Sequence, residues 1–231
     1  MDPRAAYHEA LRDLQGQMLA MAQRVEQAIA RSIEALKQRD ADLARQVVAE
    51  DAAIDRQRYE IEERVVALIA TQQPTAGDLR TILAILHITV ELERIADYAE
   101  GVAKLAIRLA DQPPLKPLID IPRMAQQVTS MLHRSLEAFL ARDAAGALAI
   151  AGEDDEIDAL KEQVYRELLT YMIEDPTTIT RATYLIWVTH NLERMADRVT
   201  NICERIVFLV TGRLEEMGQS SAHTSAPGGQ S

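Results

Sequence analysis

Cysteine is nearly absent from the 231-residue chain: Cys203 stands alone, so no disulfide can form within it. A lone thiol among apolar helix residues reads as core, in keeping with a reducing, cytoplasmic setting. Aromatic residues make up only 4% of the chain, which removes the side chains that favour strands. A basic surplus is missing too. With 36 acids against 25 bases and no run of Lys and Arg, the charge needed to neutralise phosphates is not there, and nucleic acid is not expected as a partner. No apolar run approaches the ~20 residues that span a bilayer. The start, MDPRAAYHEALRDL, has no basic region followed by an apolar one, so no address label is expected. Catalytic signatures are equally scarce. None of His8, His87, His133 or His190 has a Glu three residues before it, as a ferritin-like di-iron site requires. There is no Gly-rich phosphate loop and no Ser, Thr or Cys nucleophile beside a base. No catalytic or cofactor-binding residue is expected, and His87 and His190 read as structural.

What is present is helix-forming sequence, written twice. Hydrophobic residues reach 48%, with Ala, Leu, Ile, Arg, Glu and Gln dominant. Glu91 to Glu100 reads ELERIADYAE, and about a hundred residues later Asn191 to Thr200 reads NLERMADRVT. Met21-Ala22-Gln23-Arg24-Val25 likewise falls on Met124-Ala125-Gln126-Gln127-Val128, and Asp51 and Asp55 fall on Asp154 and Asp158. The fold class is therefore all-α: two tandem, sequence-related three-helix bundles with long helices. The first bundle is placed at 5–112, a Pro-rich linker at 113–121, the second bundle at 122–212, and a polar tail at 213–231 that reads as disordered.

Within the first unit, apolar periodicity runs from about Tyr7 to Leu36, restarts after Asp40 as an N-cap, stops at the turn QQPTAGD, and resumes from about Thr75 to Ala110. The second unit repeats this from Pro122 to Ala141, Asp143 to Glu174 and Pro176 to Thr211. Helices of about 30 residues are roughly 45 Å long. In the third helix of each unit a seam alternates spacings of four and three: Ile88, Leu92, Ile95, Ala99 and Val102, then Val188, Leu192, Met195, Val199 and Ile202.

At about 100° per residue, Glu93, Asp97 and Glu100 form one column turned away from that seam, on the bundle surface. Asp51 and Asp55 lie on the flank of their own seam, able to lean toward a neighbouring helix. Carboxylates four apart on a helix repel unless something positive lies between them. A hard cation would remove that penalty, and so would nearby Lys or Arg. One such pair reads as ordinary solvated surface. Four pairs at equivalent places in two copies turn the reading toward metal.

QQPTAGDLR with LERIADYAE, and DPTTITRATYLIWVTHNLERMADRVTNICERIVFLVTG, resemble the two signature segments of the PhoU family, accessory regulators of bacterial phosphate-specific transport. The resemblance runs to about Gly212 and implies two similar three-helix bundles. It implies that metal clusters would be held by Asp51 with Asp55, Glu93 with Asp97, Asp154 with Asp158, and Glu193 with Asp197. Asn201 and Glu204 match a further N-I-x-E element. The first unit has Gly101 and Lys104 there, with Glu100 as a compensating acid and the Lys104 ammonium as a possible substitute for a cation. Iron, zinc, manganese or magnesium are the ions implied, and the second copy is the expected first place for metal. By resemblance the role is regulatory, not enzymatic: a cytoplasmic homodimer, peripheral to membrane complexes and not inserted. It would work between a phosphate ABC transporter ATPase and a sensor histidine kinase with its response regulator, restraining the phosphate regulon and phosphate uptake. Two alternatives stay open, a metal-dependent carboxylate-site enzyme and a metal-free helical scaffold or chaperone-like protein.

Overall fold

The computed structural model describes residues 3–213, so the polar tail expected to be disordered lies, past 213, outside the described residues. Among the described residues there is no strand. Helices α1 (Pro3–Gln38), α2 (Ala41–Gln72) and α3 (Ala76–Leu109) pack together as one bundle. Helices α4 (Asp120–Ala141), α5 (Ala144–Ala151), α6 (Asp154–Glu174) and α7 (Ile179–Thr211) form the second, with a single 3₁₀ turn at Pro176–Thr178.

Local chemistry sets the boundaries. Asp40 is extended, and its side chain accepts hydrogen bonds from the Asp42 and Leu43 amides at 3.0 and 2.9 Å, starting α2. Asp143 does the same for α5 through the Gly146 amide at 2.9 Å. Before each cap the chain passes through a left-handed residue, Arg39 at φ 59° and Arg142 at φ 53°, so the two copies turn the corner alike. The seam residues Ile88, Leu92, Ile95, Ala99 and Val102, and Val188, Leu192, Met195, Val199 and Ile202, are all fully buried.

The expected helix from Asp143 to Glu174 is two helices. Gly152, a poor helix former, ends α5, and Glu153 is clamped by both Nη atoms of Arg134 reaching across from α4, at 2.7 and 2.5 Å. Asp154, Asp155 and Glu156 then open α6, where the positive helix end favours acids. The connector between bundles also ends earlier than expected, because Pro122 lies inside the first turn of α4.

Helices α3 and α7 join the bundles, lengthwise and antiparallel. Arg80 approaches Gly212, His87 feels Arg205, Glu91 meets Asn201, Gly101 faces Asn191, and Arg108 lies 5.7 Å over the Tyr184 ring. Each step forward along α3 is a step back along α7. Ala96 and Ala196, both buried, share the middle of this crossing, where small side chains let backbones approach. A Cβ at Gly101 would come within 2.9 Å of Asn191 Nδ2, which is why glycine suits that position.

Candidate metal centre

In the first bundle, α2 offers Asp51 and Asp55, and α3 offers Glu93, Asp97 and Glu100. One carboxylate oxygen from each of Asp51, Asp55 and Asp97 lies within 4.8 Å of the others. Of the column expected on the surface, Asp97 is exposed, while Glu93, 21% exposed, and Glu100 are half sunk between the two helices. That placement has an electrostatic cost. Burial first, then Glu100, Asp55 and Asp97, push the Asp51 carboxyl up to about 6, with Lys104 opposing. Asp97 is raised by burial, Asp55 and Glu100, and Glu93 by burial and Asp97. Lys104 pairs with Glu100, as the sequence allowed, and Arg58 Nε lies 3.7 Å from Glu93. Beside the acids a cavity of about 210 Å³ is lined by Arg24, Gln27, Glu50, Asp51, Ala96 and Glu100.

In the second bundle Asp154 and Asp158, at the start of α6, face Glu193 and Asp197 of α7. Burial, Asp197, Asp158 and Glu193 together push Asp154 up to about 7, against the pull of the helix terminus. Its Oδ1 is buried without a hydrogen-bond partner. Asp158 is raised by burial and Glu193, with Lys161 opposing. Here the cations contact the paired acids themselves at closer range than Arg58 contacts Glu93. Glu193, 12% exposed, has Lys161 Nζ at 3.0 Å and Arg194 Nε at 3.7 Å, and Arg194 Nη1 donates to Asp197 at 2.8 Å.

The structure thus brings together four of the eight paired acids on each flank, and the tightest oxygen cluster is in the first bundle. Asn201 turns elsewhere: its amide donates to Glu91 of the first bundle at 3.4 Å. Glu204 is half-buried beside Cys203, whose thiol is pushed up to about 12 by burial, with Glu153 and Glu204 adding to it. The donor sets fit a cation. Three mutually close oxygens on one side, and on the other an unpartnered buried oxygen among four carboxylates, suit a hard ion that neutralises them.

Two features escaped sequence reading. His190, taken as structural, is exposed with Nδ1 3.4 Å from Glu193, so it borders the second cluster and offers a nitrogen ligand; only its spacing of three from Glu193 hinted at this. His87 is exposed as well, and burial and Arg205 lower its pKa. Secondly, no block of cations gathers in the sequence, yet antiparallel pairing assembles Arg80, Arg94 and Arg108 with Arg194, Arg198 and Arg205 along one seam. Arg80, His87, Arg94, Gly101 and Arg108 recur at heptad spacing, which was the available signal.

The family model described as "PhoU domain" matches residues 18–106 and 121–206, one copy on each bundle. The chain belongs to the PhoU family. It is 40% identical over 204 residues to the phosphate-specific transport system accessory protein PhoU homolog of Aquifex aeolicus, covering 88% of this chain and 92% of that protein. It is 37% identical over 207 residues to the phosphate-specific transport system accessory protein PhoU of Edwardsiella tarda, covering 90% and 85%. The crystal structure of PhoU from Pseudomonas aeruginosa superposes with a TM-score of 0.85 at 36% identity, covering 90% of this chain and all of that one. The phosphate transport system regulatory protein PhoU from Streptococcus pneumoniae gives the same TM-score at 29% identity. The two tandem helical bundles are the architecture of this family.

Proposed function

We propose that this chain is an accessory regulator of phosphate-specific transport that acts by docking rather than by catalysis. The observation that carries the reading is chain-long similarity, over both bundles, to proteins named for that accessory role. Its partners on this reading are a phosphate ABC transporter ATPase and a sensor histidine kinase with its response regulator, and its effect is to restrain the phosphate regulon and uptake when phosphate is plentiful. It works as a cytoplasmic homodimer at membrane complexes. No helix of the described residues is long and apolar enough to cross a membrane, which agrees with a peripheral position.

In the same proposal the clusters on Asp51, Asp55 and Asp97, and on Asp154, Asp158, Glu193 and Asp197, hold metal. A bound cation would supply positive charge between carboxylates that otherwise repel, fixing α2 to α3 and α6 to α7. The chain's own acids orient the oxygens, and Lys104, Lys161 and Arg194 set how much charge is left for the ion to balance.

Deletion of the gene in its host, with a phosphate-regulon reporter in phosphate-rich medium, tests the reading. Loss of repression on deletion, its return on complementation, and co-purification of the transporter ATPase or the kinase are expected. A reporter indifferent to the deletion would sink it.

A further inference from the structure

An apolar cavity away from the acidic clusters lies where the two bundles are tied together. About 300 Å³ lies between the end of α1, the end of α3, the connector and the start of α7. Its walls are Leu36, Leu109, Leu115, Leu118 and Leu185 with the connector prolines. A volume of about 300 Å³ matches the lower range of small-molecule sites.

Its rim is the reverse of the rest of the molecule. In a chain of net charge −11, the cavity is lined by Lys37, Arg39, Lys116 and Arg181, with no Asp or Glu among the lining residues. Two of these cations have acids of their own: Lys116, 7% exposed, pairs with Glu167, and Lys37 Nζ is 3.7 Å from Glu34. The two arginines are different. Arg39 donates through Nε and Nη2 to the Ala110 carbonyl at 3.1 and 2.8 Å, and Arg181 Nη1 donates to the Pro113 carbonyl at 3.0 Å. A carbonyl orients a guanidinium without neutralising it. Arg181 also acts weakly on the exposed Asp175. Both forks are held in place with charge to spare and N–H groups left for a planar acceptor.

We propose that this cavity binds a small organic anion with an apolar body, a carboxylate on a short aliphatic or aromatic chain. Its head is held by Arg39 and Arg181, and its body fills the space between Leu36, Leu109 and Leu185. Because α1, α3, the connector and α7 all contribute, the ligand closes the joint between the bundles. The site is independent of the acidic clusters and of the transport role argued above.

Calorimetric titration of the full chain with octanoate, octanol and inorganic phosphate separates head from body. Saturable one-to-one binding of octanoate is expected, at least tenfold tighter than octanol, with no heat from phosphate. Arg181→Gln should weaken octanoate at least tenfold, and Leu118→Trp should block it by filling the space. Melting curves establish that each variant folds. Should Arg181→Gln melt early, Arg181→Lys keeps the charge but loses the fork, and a several-fold loss is expected. Octanoate silent to 10 mM, octanol binding as well as octanoate, or affinity unchanged in both variants would each overturn the proposal. Co-sedimentation with vesicles rich in anionic phospholipid, without octanoate binding, would overturn it in favour of a membrane surface.

Discussion

Asp154 holds its carboxyl near pH 7 because burial and four neighbouring carboxylates all oppose its charge. The folded-state pKa is raised above the ordinary carboxylate value of 3.8, so protonation favours the folded chain. That contribution is fully present below about pH 4 and is lost as pH rises through 7. Asp51 follows the same course through about 6. The metal-free protein is therefore expected to gain thermal stability from these two groups on going from pH 8 to pH 5.5. Asp154→Asn should flatten that dependence and raise stability at pH 8 by about 1 kcal/mol, because partial exposure screens the repulsion. Thermal melts in chelator check this, and an unchanged or lower melting temperature in the variant would count against it. On the proposed metal reading, a bound cation would reverse the sign. Its binding needs the carboxylates ionised, so affinity should fall as pH drops through 7 toward 6, read by metal content after dialysis at each pH. At this scale the acids were legible from spacing, since four-residue pairs repeated in two copies point to charge held deliberately close. Asp51 and Asp55 lean toward α3 as their place on the seam flank allowed, but the half-burial of Glu93 and Glu100 was not legible. It depends on how closely α2 approaches α3, and a helical wheel for one helix contains no neighbour.

Among the elements, the caps and core seams were readable because each rests on residues within one turn or on one stripe. Asp40 and the Ile88-to-Val102 stripe needed nothing from elsewhere in the chain. The break between α5 and α6 was not readable, since a single Gly152 between an apolar stretch and four acids is compatible with a continuous helix. What fixes Glu153 is Arg134, nineteen positions away on another helix. The cap of α5 is a sharper case. Gly146 presents its amide to Asp143, and a Cβ there would collide with the capping carboxylate. Gly146→Ala should cost about 1–2 kcal/mol despite the better helix propensity of alanine, because the cap is displaced. Chemical denaturation of the two proteins measures it. A stabilised variant, as propensity alone demands, would show that the cap is not what starts α5.

Over the whole molecule, one continuous core runs through both bundles, which meet at the α3–α7 seam, at the α1–α4 contact and where Arg142 donates to Thr81. Glu91 is the acid at the centre of that seam. It is 14% exposed, with Arg198 Nη1 at 3.5 Å and Asn201 Nδ2 at 3.4 Å from the other bundle, and Arg94 Nη1 at 3.9 Å from its own. Removing it leaves two guanidiniums facing each other across the joint. Asn201 explains why duplication need not copy chemistry: its match to a metal-site motif was visible in sequence, but the pairing of the bundles turns it to Glu91. Glu91→Ala is expected to destabilise the chain by about 1–3 kcal/mol, and the cycle with Arg198→Ala should show a coupling of about 0.5–1.5 kcal/mol. Metal content should stay unchanged, because Glu91 belongs to neither acidic cluster. If the variant instead lost metal from both flanks while the cycle showed no coupling, Glu91 would be acting on the clusters and not on the joint.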